Sequence, residues 1–146
     1  MNEITIAFLE DDTLFAWSLQ EFLDDAGFSV THAATGQKLL DITFAGHLDL
    51  YLLDINVPDC QGINLLQELR GAGDETPAIF LTSYKDKEML QQAFVCGGDD
   101  YIKKPVDLDE LLLRIEAVLK RSGRLGADVI TLGEGVVYDK QKQLIY

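Results

Sequence analysis

Three acids stand in a row at Glu10-Asp11-Asp12, Asp54 follows the apolar stretch LDLYLL, Thr82 closes AIFLT, and Lys104 precedes Pro105. Carboxylates gathered in one place repel unless something neutralises them. A hard divalent cation does so, and Mg²⁺ uses one or two carboxylates plus waters and phosphate oxygens. One carboxylate can then act as a nucleophile toward phosphorus. An ammonium such as that of Lys104 balances a phosphoryl group's negative charge, and a hydroxyl such as that of Thr82 donates to one of its oxygens. This set suits phosphoryl transfer performed by positioning and electrostatics. Taken singly, each residue has a plainer reading. An Asp at a strand end caps helices or forms turns. The row at 10–12 favours the positive N-terminus of a following helix. Thr82 is a turn residue, and Lys104 is a solvated lysine.

The elements decide whether these groups meet. Ile4–Leu9 (ITIAFL) is a continuous apolar run of strand length, as in a strand buried on both faces of a parallel sheet. Phe15, Leu19, Phe22 and Leu23 recur at helical spacing until Gly27 stops the helix. Ser29–Ala33 reads as a strand, Thr35–Ala45 as a helix, and Leu48–Leu53 as a strand ending at Asp54. Pro58 and Gly62 punctuate a loop before a helix over Ile63–Leu69. Ala78–Thr82, Lys87–Cys96 and Tyr101–Lys103 read as strand, helix and strand. A last helix, capped by Asp107 or Asp109, runs to about Arg121. This strict alternation is (βα)5, an α/β fold with a doubly wound parallel sheet and helices on both faces. Such sheets place their sites beyond the carboxyl ends of the strands, at the switch in strand order. The acids, Thr82 and Lys104 all fall at those ends.

The whole chain has 146 residues, which is one domain with room for a tail. Its 12 Lys and Arg against 25 Asp and Glu give a net charge of −13. Such a chain repels phosphate backbones and anionic membrane surfaces. Residues 1–123 carry the whole excess, with 9 basic and 22 acidic side chains, while 124–146 carry 3 of each. The expected organisation is therefore a body over 1–123, a linker over 124–127, and a segment over 128–146 of short strands with turn signals. No apolar run reaches the roughly 18–20 residues of a membrane span. Met1-Asn2-Glu3-Ile4 lacks the basic region of a signal peptide, and Cys60 and Cys96 form no disulfide framework. The expected compartment is the cytoplasm.

The stretches IAFLEDD, DLYLLDINVPDCQGINLL, PAIFLTS and GGDDYIKKPVDLDELLLRI resemble the receiver domain of two-component response regulators, in that family's order and spacing. The resemblance covers residues 3–122 and implies a flavodoxin-like sheet with strand order 2-1-3-4-5. It implies that Asp54 is the phosphoacceptor, supplied by a sensor histidine kinase. It further implies a Mg²⁺ site of Glu10, Asp11, Asp54 and the backbone carbonyl of Asn56. Thr82 and Tyr101 would form the switch pair, Lys104 would pair with the phosphoryl group, and Lys104–Pro105 would be cis. ADVITLGEGVVYDKQKQLIY is similar to the opening strands of the OmpR/PhoB-type winged-helix DNA-binding domain, with the chain stopping before a recognition helix. DNA binding and transcription regulation would belong to that effector domain.

Winged-helix members of the family dimerise through the fourth helix, fifth strand and fifth helix. Asp99, Asp100, Glu110, Arg114 and Arg121 match that pattern, while Leu90 and Val95 replace a basic and an acidic residue. An interface here would be more apolar at its centre. Two other functions compete with a non-enzymatic switch. A small Mg²⁺-dependent phosphohydrolase with an Asp nucleophile would carry DxD on its first strand, whereas Asp54-Ile55-Asn56 follows the third. A flavin-binding protein would need a phosphate-cradling loop after the first strand, where three acids stand instead. His32 and His47 lack metal-ligand spacing and are assigned no role.

Overall fold

The computed structural model describes residues 4–57, 59–83, 95 and 97–124. The apolar runs form strands β1 (Thr5–Leu9), β3 (Leu50–Asp54) and β4 (Ala78–Thr82), and the more mixed edge segments form β2 (Ser29–Ala33) and β5 (Asp100–Lys103). Every pairing within this five-stranded sheet is parallel, and the spatial order is β2-β1-β3-β4-β5, as expected. β1 lies between β2 and β3, so the order reverses there and opens a crevice at the carboxyl ends of β1 and β3.

Helices α1 (Thr13–Asp25), α2 (Gly36–Ala45) and α3 (Gly62–Gly71) and a last helix, Leu108–Arg121, cover the sheet. Ile6, Phe8, Leu50, Leu52, Ile79 and Leu81 face α1 and the last helix. Ala7, Leu9, Tyr51, Leu53, Ala78 and Phe80 face α2 and α3. Burial on both faces is why these strands read as unbroken apolar runs rather than alternating ones.

Local chemistry sets the helix starts. Asp12 accepts the Phe15 N–H at 3.1 Å and Thr35 accepts the Lys38 N–H at 3.2 Å, each filling an orphan donor of the first turn. Of the two candidate caps for the last helix, Asp107 holds the position and accepts from Asp109 and Glu110. β3 begins at Leu50 rather than Leu48, because the preceding Asp49 carboxylate takes the Thr5 N–H at 2.9 Å. The segment expected as a plain loop contains a short antiparallel ribbon, Asn56–Val57 against Cys60–Gln61. Of the expected fourth helix only Val95 is described, and it is helical. The linker beyond Arg124 and the expected tail strands lie outside the described residues.

Candidate acidic site at the strand ends

Glu10 follows β1 directly, and its side chain is 1% exposed. Asp54 is the last residue of β3 and is buried, while Asp11 is exposed at the mouth. One carboxylate oxygen from each of the three lies within 4.8 Å of the others. Lys104 crosses from beyond β5 and joins two of them, donating to Glu10 Oε1 at 3.0 Å and to Asp54 Oδ2 at 3.3 Å. Burial acts to lower the Lys104 ammonium. Its hydrogen bond to Glu10 and the charges of Asp54 and Glu10 outweigh burial and hold it above its usual value.

Asp12 parts from its two neighbours. It caps α1, and its own N–H donates to Glu10 Oε2 at 3.1 Å. The row of three acids thus divides into two members of the cluster and one helix cap. Thr82 is buried at the end of β4, where its hydroxyl donates to the Ser83 carbonyl at 3.2 Å. Tyr101 is half-buried on β5 and packs against the cluster beneath α2 and α3. The Lys104–Pro105 bond is cis. Asn56 lies on the ribbon immediately after the site.

The donor set consists of hard oxygens close to one another, with two of the three carboxylates buried. That chemistry fits Mg²⁺, which prefers carboxylate oxygens and keeps several waters.

Two contributors went unmarked in the sequence. The Phe15 ring centroid lies 5.3 Å from Lys104 Nζ, a cation–π contact on the site's α1 side. His32 lies with Nε2 2.7 Å from the Glu10 carbonyl oxygen and its ring tilted against Phe8. Phe15 reads in sequence only as the first residue of an apolar stripe. His32 has no signal there, because its partner is a backbone atom 22 residues away.

The residues expected at a dimer interface pair within the chain. Arg114 reaches Asp100 at 3.1 Å and Glu110 at 2.8 Å. Arg121 donates to the Asp99 carbonyl at 3.5 Å, and the Asp99 carboxylate accepts the Ala78 N–H at 2.9 Å. Val95 is 84% exposed, and Leu90 lies outside the described residues.

A parallel five-stranded sheet with acids at its switch point is the architecture of a receiver domain, and the chain belongs to the response regulator receiver domain family, matched over residues 6–116. Among its curated relatives is the transcriptional regulatory protein CiaR of Streptococcus pneumoniae, 38% identical over 134 residues. Another is the cell cycle transcriptional regulator CtrA of Caulobacter vibrioides, 36% identical over 132 residues. These matches cover 92% and 90% of this chain but only 59% and 57% of the relatives' own length. A CheY-like receiver domain protein from Methanospirillum hungatei superposes with a TM-score of 0.80 at 30% identity, covering 86% of this chain and all of that one. The receiver domain of the TMAO respiratory regulator TorR gives 0.76 at 33% identity, covering 81% of this chain and 98% of that one. Among the described residues, no helix is long and apolar enough to cross a membrane.

Proposed function

We propose that the chain is a phosphorylation-controlled switch in which Asp54 accepts a phosphoryl group from the phosphohistidine of a sensor histidine kinase. The observation that carries this reading is the meeting of Glu10, Asp11 and Asp54 oxygens within 4.8 Å, with Lys104 bonded to two of them. An Asp54 oxygen attacks phosphorus and forms an acyl phosphate. The P–N bond breaks, its electron pair stays with the imidazole nitrogen, and that nitrogen takes up a proton. Glu10, Asp11, Asp54 and the Asn56 backbone carbonyl would hold Mg²⁺, which when bound offsets negative charge on the phosphoryl oxygens.

Lys104, already paired with Asp54, balances the charge that arrives. Thr82 turns its hydroxyl from Ser83 to a phosphoryl oxygen, and the half-buried Tyr101 moves inward behind it. The consequence is a two-fold dimer through the face carrying Leu90, Val95, Asp99, Asp100, Glu110, Arg114 and Arg121. Residues 1–123 form the receiver, 124–127 a linker, and 128–146 the start of a winged-helix effector of the OmpR/PhoB type, through which the regulator acts on DNA in the cytoplasm. The names of the curated transcriptional regulators support that assignment. The chain acts as a switch rather than as an enzyme.

Intact mass after incubation with acetyl phosphate and Mg²⁺ tests the reading. A labile gain of one phosphoryl group is expected in the wild type and none in Asp54→Asn. Full-rate labelling of Asp54→Asn would overturn the acceptor assignment. Sustained turnover of a phosphate ester without an adduct would favour the hydrolase instead.

A further inference from the structure

Asp59 lies in the exposed turn of the ribbon that follows Asp54, yet its hydrogen bonds cross to a different element. Oδ1 accepts the Gly36 N–H at 2.8 Å and Oδ2 accepts the Gln37 N–H at 3.2 Å. These donors open α2, where no intrahelical carbonyl reaches them. Thr35 already takes the Lys38 N–H, so Asp59 completes the cap from outside. The Gly36 N–H, foremost, holds the Asp59 carboxyl below its usual range. A second contact runs in parallel with this clamp. A Cβ on Gly36 would stand 2.4 Å from Cys60 Sγ, so the absence of a side chain there lets Cys60 approach α2.

This fastening reaches the acidic site through the backbone. Val57 pairs with Cys60 and Asn56 with Gln61, so the two strands of the ribbon move together. At the ribbon's other end the Gly62 N–H donates to the Ile55 carbonyl at 2.7 Å. The segment is thus closed on itself beside Asp54 and tied outward at Asp59 and Cys60. We infer that Asp59 is a positioning residue for the acidic site: by clamping the 56–61 ribbon to the start of α2, it sets where the Asn56 backbone carbonyl stands, and with it the affinity for a divalent cation. The inference rests on the reading in which that carbonyl joins Glu10, Asp11 and Asp54.

The test measures the whole chain, in wild-type, Asp59→Ala and Asp59→Asn forms. The Mg²⁺ affinity is taken from the rise in thermal midpoint with Mg²⁺ concentration, and labelling by acetyl phosphate is followed over the same series. Asp59→Ala should weaken Mg²⁺ about tenfold, as loss of outer partners of metal ligands does. Its labelling rate at saturating Mg²⁺ should stay within about twofold of wild type, because no group that contacts the cation is removed. Asp59→Asn, whose amide oxygen still accepts from Gly36, should recover most of the affinity. A lower midpoint in Asp59→Ala with unchanged Mg²⁺ affinity would mean that Asp59 only caps α2, and would overturn the inference. So would an Asp59→Asn variant as weak as Asp59→Ala. A wild-type chain that neither responds to Mg²⁺ nor labels would sink the underlying reading, an outcome separate from both.

Discussion

Glu116 carries a carboxylate oxygen, Oε2, that is buried without a hydrogen-bond partner among the described residues. Burial pushes this carboxyl up to about 7 from an ordinary 4.5, against the opposing charge of Lys120. Between those two values the folded chain keeps a proton that the unfolded chain has lost. Stability therefore falls as pH rises through that window and carries the full penalty above it. Glu116→Gln should match wild type near the lower value and exceed it at pH above the upper one, by about 1–2 kcal/mol once partial exposure is allowed for. Thermal melts of both proteins on either side of the window decide this, and equal midpoints at high pH would refute it. Asp11 poses the opposite case, an exposed carboxylate beside two buried ones. Asp11→Ala relieves repulsion, so the metal-free midpoint should hold or rise while the gain on adding Mg²⁺ shrinks. A variant stabilised by Mg²⁺ as strongly as wild type would remove Asp11 from the ligand set.

Among the elements, the join between β3 and α3 is packed closely beside the site. A Cβ on Gly62 would stand 2.4 Å from the Asp54 carbonyl oxygen. That neighbour is backbone and cannot rotate aside. Gly62→Ala should therefore cost about 1–3 kcal/mol, the range for overpacking a filled interior. The urea midpoint should fall accordingly, and an unchanged midpoint would show that the loop can shift freely. The displacement would be felt at the carbonyl of Asp54, so Mg²⁺ affinity should fall with stability. The same region explains why an expected plain loop contains a ribbon. Gly62 lets the chain turn back on Asp54, while Asp59 and Cys60 press the turn against α2. Helix caps are the complementary local device, and Asp12 shows one acid diverted from the cluster to that task.

For the molecule as a whole, the charge of −13 and the pairing of Arg114 set the terms of association. Arg114 is satisfied inside its own chain by Asp100 and Glu110, so an intermolecular pair must exchange with these. Exposed pairs of this kind contribute at most about 1 kcal/mol each. In the proposed dimer the apolar centre, including the 84%-exposed Val95, should then supply most of the stability. Sedimentation with and without beryllofluoride, a phosphoryl mimic, should give a dimer only in its presence. Arg114→Glu together with Leu90→Asp should abolish it. A monomer with the mimic bound, or a dimer indifferent to both substitutions, would place the interface elsewhere.

The sequence by itself determined the order and type of the five sheet strands and of the four helices described in full, because apolar runs and helical spacing are local properties that burial against a neighbouring layer imposes. The alternation also placed Glu10, Asp11, Asp12, Asp54, Thr82 and Lys104 along one edge, since parallel strands put their carboxyl ends there, and of these Glu10, Asp11, Asp54 and Lys104 meet. Only the tertiary structure decided which acids share the cluster and which cap helices, as Asp12 and Asp107 do. It alone joined Asp59 to Gly36, His32 to the Glu10 carbonyl and Phe15 to Lys104. Those contacts pair a side chain with a backbone atom or a ring far away in the chain. Their existence depends on how elements seat against one another, and no periodicity or local preference in the sequence encodes that.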